Sequence, residues 1–221
     1  MKKSLLFYFY TITLVIVIII CCVSCKQSET GNKNTVVTQS AYTLKANMRK
    51  LWEDHVIWTR NVILCLTDGL PGTDQAVKRL LQNQVDIGDA FKPYYGEEYG
   101  DELTKLLYIH INTSAEVVKA AKARDKPSFE KANKIWYANA DDLSVFLCKV
   151  NPDLSLEDMK MMMKDHLKVT TDEAEQRIDM NYDADVIAFD KIQTEILIMA
   201  DVFADGIAKQ FPEKFAAGSI K

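Results

Sequence analysis

The chain has 221 residues, 48% of them apolar, and a formal net charge of −4. That length suits one domain or two small ones, with ample material for a packed core. The acidic balance and the lack of any basic patch interleaved with aromatics argue against a nucleic-acid partner.

Residues 1–24 read as a leader. Lys2 and Lys3 precede an almost unbroken apolar run from Leu5 to Val23, which closes on Cys22-Val23-Ser24-Cys25. The run is also long enough to cross a bilayer once, so an uncleaved signal anchor is the alternative. A small residue just before a cysteine, closing an apolar run, resembles the lipobox of bacterial lipoproteins. The departure is Cys22, which stands where that family usually has leucine. The resemblance implies that Cys25 is lipidated and becomes the first residue of a mature, membrane-anchored lipoprotein of the bacterial cell envelope. Either reading puts the body outside the cytoplasmic membrane. Loss of Lys2 and Lys3 with the leader takes the net charge from −4 to −6. The membrane partner is then met through the N-terminal lipid and not through a basic surface. Residues 25–40 follow as the lipidated cysteine and a flexible tether, too poor in apolar side chains to offset its ordering entropy.

The body, expected over 41–215 with a tail at 216–221, is punctuated by Pro71, Pro93, Pro127, Pro152 and Pro212. Proline lacks an N–H and disfavours helix at its predecessor, so five prolines predict six helical segments. They fall near 41–67, 74–91, 98–124, 128–150, 155–180 and 183–211. Thr73 or Asp74, Ser128, Ser155 with Asp158, and Asp183 are the expected caps. No stretch alternates polar and apolar residues for long, so the expected class is all-α. Short connectors predict a helical bundle of three antiparallel hairpins.

The only three histidines lie 55 and 56 residues apart, in similar surroundings. His55, His110 and His166 each follow apolar residues by three or four positions and precede a hydroxyl residue by four: Thr59, Ser114 and Thr170. Such a period points to a repeated supersecondary unit. On helical stripes, Leu44, Met48, Leu51, His55, Trp58, Val62 and Leu66 share one face. Leu103, Leu107, His110, Ser114 and Val117 share another, and Met159, Met162, His166 and Thr170 a third, which loses apolar character toward Glu173 and Arg177. Each following helix carries one polar residue in an apolar stripe, namely Asn83, Asn139 and Glu195. Counting along the hairpins puts these six at one level, within roughly 5 Å. A polar layer across the bundle is therefore expected.

Two readings of the layer stand side by side. In the leading one each histidine bonds its own Asn or Glu and the hydroxyl one turn on, satisfying a buried network. In the other, three imidazoles and the Glu195 carboxylate suit a transition metal as cofactor, and hence a metal-dependent enzyme or metal-binding protein. Met159, Met161, Met162 and Met163 add a soft-ligand branch to that idea, against the commoner role of methionine as core filler. The stretch from Pro93 to Gly100, with Tyr94, Tyr95 and Tyr99, reads as a turn pinned by aromatic rings against the bundle end. The alternative is a ligand mouth or a partner contact. No nucleophile is paired with a base, and no phosphate loop or Cys-x-x-Cys is present, so no residue asks to be called catalytic. Cys65 and Cys148 should be buried thiols, since the hairpins separate them by about 28 Å where a disulfide allows roughly 7 Å.

From Leu51 to Phe215 the chain resembles a bacterial family of small all-helical proteins of unknown function. The resemblance rests on Leu51-Trp52-Glu53, His55-Val56, Trp58-Thr59-Arg60 and Pro93-Tyr94-Tyr95-Gly96. It continues through Trp136-Tyr137, Asn139-Ala140-Asp141, Asn151-Pro152, His166-Leu167, Glu173-Ala174, Met199-Ala200-Asp201 and Gln210-Phe211-Pro212. It implies the fold but no mechanism. The sequence alone thus points to a lipid-anchored binding or accessory module, its protein or small-ligand partner unidentified.

Overall fold

The structure is a computed structural model that describes residues 38–216. These lie within one unit, Val37–Lys221; the leader and Cys25 fall outside the described residues. Six helices follow in order: α1 Gln39–Asp68, α2 Thr73–Tyr95, α3 Glu97–Lys122, α4 Lys126–Val150, α5 Leu156–Ile178 and α6 Tyr182–Gln210. A single 3-10 turn, Pro212–Lys214, closes the described chain. The expected all-α bundle is the fold, with no strand among the described residues.

Local chemistry sets the helix ends, with some differences from expectation. α1 starts at Gln39, inside the stretch read as tether, because the Thr38 hydroxyl caps the Ala41 N–H. It ends at Gly69, whose φ of 67° supplies the left-handed C-cap. Asp125, not Ser128, caps α4, accepting the Ser128 N–H at 3.2 Å. Ser155 caps α5 by accepting the Asp158 N–H, as expected. Gly72 and Asn181 precede α2 and α6 without a side-chain cap bond, so Thr73, Asp74 and Asp183 do not serve.

Pro93 does not break its helix. It sits in the last turn of α2, and the break comes at Gly96, whose φ of 88° and ψ of 168° belong to glycine. Lys92 braces this one-residue corner with ion pairs to Asp89, Glu97 and Asp101 at 2.9, 3.1 and 2.8 Å.

Each helix packs on the next and α6 returns to α1, closing a ring. α1, α3 and α5 also touch one another, so these three parallel helices form an inner triangle. α2, α4 and α6 run antiparallel in the grooves between them. We call the end toward which α1, α3 and α5 run the upper end.

The largest apolar cluster fills the lower bundle and its middle, with Met48, Leu103, Leu143, Met159, Leu167, Ile196, Met199 and Phe203 almost wholly buried. Its floor is aromatic. Tyr94 packs on Phe211 and Phe215, and Tyr95 packs on Phe91 and Phe211. The Tyr95 hydroxyl donates to Gln210 Oε1 (3.1 Å) and accepts from Asn151 Nδ2 (3.0 Å), tying three chain turns together. This is the aromatic pinning expected for the tyrosine-rich stretch, although it forms a corner between helices and not an open loop. Above the middle the core divides into two small clusters. One is Val62, Ala76, Leu80 and Ile111; the other is Ile63, Val118 and Ala174. Cys65 and Cys148 are free thiols, half-buried where full burial was expected.

Candidate functional site

The three histidines meet at the middle of the inner triangle. His55, His110 and His166 are all buried. The ring centroid of His166 lies 6.0 Å from that of His55 and 6.4 Å from that of His110. Each ring has its Nδ1 against a side chain of the next outer helix, 29 residues further along the chain. That geometry follows from hairpins of nearly equal length, with about the same climb and descent on either side of the turn.

Hydrogen-bond chemistry fixes the state of His110. Trp136 Nε1 carries a hydrogen and can only donate, and it donates to His110 Nε2 at 3.2 Å. His110 Nδ1 must then bear the ring proton, and it donates to Asn139 Oδ1 at 2.9 Å. Asn139 Nδ2 in turn donates to the Leu106 carbonyl, 3.1 Å away. Both nitrogens of this neutral ring are thus engaged. Burial, reinforced by the neighbouring His166, brings its pKa down to about 3.

The other two sites vary this pattern. His166 Nδ1 lies 3.0 Å from Glu195 Oε2, while Glu195 Oε1 is buried without a partner. At His55 a second amide joins the expected Asn83, whose side chain bonds the ring: Gln84 Nε2 stands 3.4 Å from Nδ1. Asn83 Nδ2 donates to the Leu51 carbonyl at 3.0 Å. The His55 pKa is lowered well below the usual imidazole value, chiefly by burial and then by the two other histidines, with Asn83 opposing.

The hydroxyls do not reach the imidazoles. Thr59 Oγ1 donates to the His55 carbonyl (2.8 Å) and Ser114 Oγ to that of Ile111 (2.8 Å). Thr170 Oγ1 is buried with no partner. This overturns the expectation that each hydroxyl completes its histidine's network. In a helix interior a Ser or Thr hydroxyl finds a carbonyl of the preceding turn more readily than a side chain.

As a metal centre the layer fits poorly. His110 has no nitrogen lone pair to offer while Trp136 holds it, and the space among the rings is about 10 Å³, at the lower limit for one water. No group of three or more His, Cys, Asp or Glu among the described residues is placed to hold a metal ion. Met159 and Met163 are buried core filler with half-buried Met162 packed against that core, whereas Met161 is exposed.

Sequence reasoning missed a second polar cluster, one to two turns above the layer. Arg60 of α1 bonds Glu173 of α5 at 2.5 Å and Asp185 of α6 at 2.7 Å, and both carboxylates are 1% exposed. Arg177 joins from above, 3.4 Å from Asp185 and paired with Asp68. The arginine planes also lie on rings, Arg60 over Phe189 at 4.6 Å and Arg177 over Tyr182 at 4.7 Å. Burial pushes the Glu173 carboxyl up to about 7 despite the attraction of Arg60. The available signal was Glu173 itself, three residues after Thr170 on the buried stripe. A charge at a core position requires a buried partner of opposite sign.

No described helix is long and apolar enough to cross a membrane. Comparisons with protein-family profiles, curated proteins and solved structures return no match for this chain.

Proposed function

We propose that this chain is a lipid-anchored, extracytoplasmic helical module that binds a partner or ligand, with the histidine layer as its internal scaffold. The observation that carries this reading is His110, whose two nitrogens are both engaged by buried partners on α4. A layer built this way holds three hairpins in register and offers no open coordination position. The anchor rests on the lipobox-like Cys22-Val23-Ser24-Cys25, and the body on its resemblance to small all-helical bacterial proteins. The rival class is a metal-dependent protein working through His55, His110, His166 and Glu195, favoured by the His166 ring lying 6.0 and 6.4 Å from those of His55 and His110.

Two measurements test the reading. Labelled fatty acid should enter the wild type and not Cys25→Ser; labelling that survives the substitution removes the lipoprotein part. Zinc or copper added to untagged protein should leave the melting temperature unchanged. A saturating metal would raise stability by about 2.7 kcal/mol at a hundredfold excess over Kd. A metal-induced rise that vanishes in His55→Ala, His110→Ala and His166→Ala alike would install the rival.

A further inference from the structure

The upper bundle axis is not filled. A partly enclosed cavity of about 40 Å³ lies there among α1 to α5, between the two small apolar clusters, and residues of both clusters line it. One water needs roughly 10–15 Å³ on this scale, so the space takes about three water-sized groups. Thr59, Ser114 and Thr170, each one turn above its histidine, all line this one cavity. Their bonding differs in a way that matters. Thr59 and Ser114 have given their hydrogens to backbone carbonyls, so their oxygens are left to accept. Thr170 is 4% exposed and its hydroxyl has no partner, so it is left to donate as well.

We propose that this cavity is a binding site for a small, largely apolar molecule of three or four heavy atoms that ends in a hydroxyl group. A hydroxyl can accept from the free Thr170 O–H and donate its one hydrogen to Thr59 or Ser114. Most of the rest of the wall is Val, Ile, Leu and Ala side chains with Phe129 and Trp136, which hold an alkyl tail. Asn112, Thr171 and Glu175 are its other polar members, and the first two already donate to the carbonyls of Tyr108 and Leu167. Each buried water needs two to four polar partners, so water suits the hydroxyl end but not the remaining volume. The wall residues Ala121, Phe129 and Glu175 also line an open cleft at the upper surface, which provides the entry side. The site rests on the binding-module reading and supplies its ligand class.

The test is a titration of the full-length, methyl-labelled chain with 1-propanol, followed by NMR. Saturable shifts are expected in Val62, Ile63, Val118 and Ala174, with a dissociation constant in the millimolar range, as so few atoms imply. Thr170→Val keeps the side-chain shape and removes the donor, and should weaken binding at least tenfold. Ala115→Leu fills the space and should abolish binding; if that variant fails to fold, Thr170→Val alone carries the discrimination. Shifts that grow linearly without saturation, an unchanged affinity in Thr170→Val, or water contacts to Thr170 that persist through the titration would each overturn the site. Such a negative leaves the binding-module reading standing, whereas a metal-induced rise in melting temperature sinks that reading whatever propanol does.

Discussion

His110 shows what a buried imidazole contributes at the scale of one residue. Its ring separates a donor, Trp136 Nε1, from an acceptor, Asn139 Oδ1, and satisfies both. His110→Ala leaves the two unpaired in a site that water does not reach, at about 1–3 kcal/mol for each group, before any cavity cost. His166→Ala should cost less, because Glu195 keeps 20% of its side chain exposed and can turn to water. Urea denaturation of both variants checks the order, and a His166→Ala loss exceeding that of His110→Ala would contradict it. The histidines were legible in the sequence because helical spacing put them on apolar stripes. Gln84 was not, since Asn83 lies beside it and fits the stripe equally well. Glu173 and Asp185 were hidden for a different reason. Their burial depends on Arg60 arriving from another helix, and no local pattern records that meeting.

At the scale of elements, the α2–α3 hairpin depends on two glycines that face each other. A Cβ added at Gly88 would lie 2.6 Å from the Gly100 carbonyl and 1.9 Å from Thr104 Oγ1; one at Gly100 would meet the Gly88 carbonyl at 2.8 Å. Backbone atoms cannot yield as a flexible side chain can, so Gly88→Ala must push the helices apart. A loss of about 1–3 kcal/mol is expected, the usual range for overpacking. Alanine is otherwise the better helix former, so a neutral or stabilised Gly88→Ala in thermal denaturation would show that the close approach is not needed. The helices were readable because prolines and amphipathic stripes mark them independently of tertiary context. Their ends were less so. Pro93 reads as a breaker, yet a proline in a last turn forfeits only one hydrogen bond there, and the corner belongs to Gly96.

At the scale of the whole molecule, two buried polar systems titrate in opposite directions. His110, with its pKa near 3, and His55, also lowered, bind protons more weakly folded than unfolded. Between pH 6.5 and about 3 the unfolded chain therefore holds the extra protons. Stability from these histidines is present above pH 6.5 and is lost as pH falls, on the order of 5 kcal/mol for His110. Glu173, raised to about 7, binds its proton more tightly folded than unfolded. Its contribution is present below about pH 4.5 and is lost as pH rises toward 7, on the order of 3 kcal/mol. Between pH 4.5 and 6.5 the gain from His110 offsets the loss from Glu173 and the lowered His55 adds to the gain, so stability should peak near pH 6.5 and fall most steeply on the acid side. Glu173→Gln isolates one limb, because glutamine stays neutral throughout. Measured by urea denaturation, the stability of the variant relative to wild type should rise from pH 4.5 to 7 and then level off. A difference that stays constant across this range would mean that Glu173 is ionised at every pH, held so by Arg60, and that the descending limb has another source.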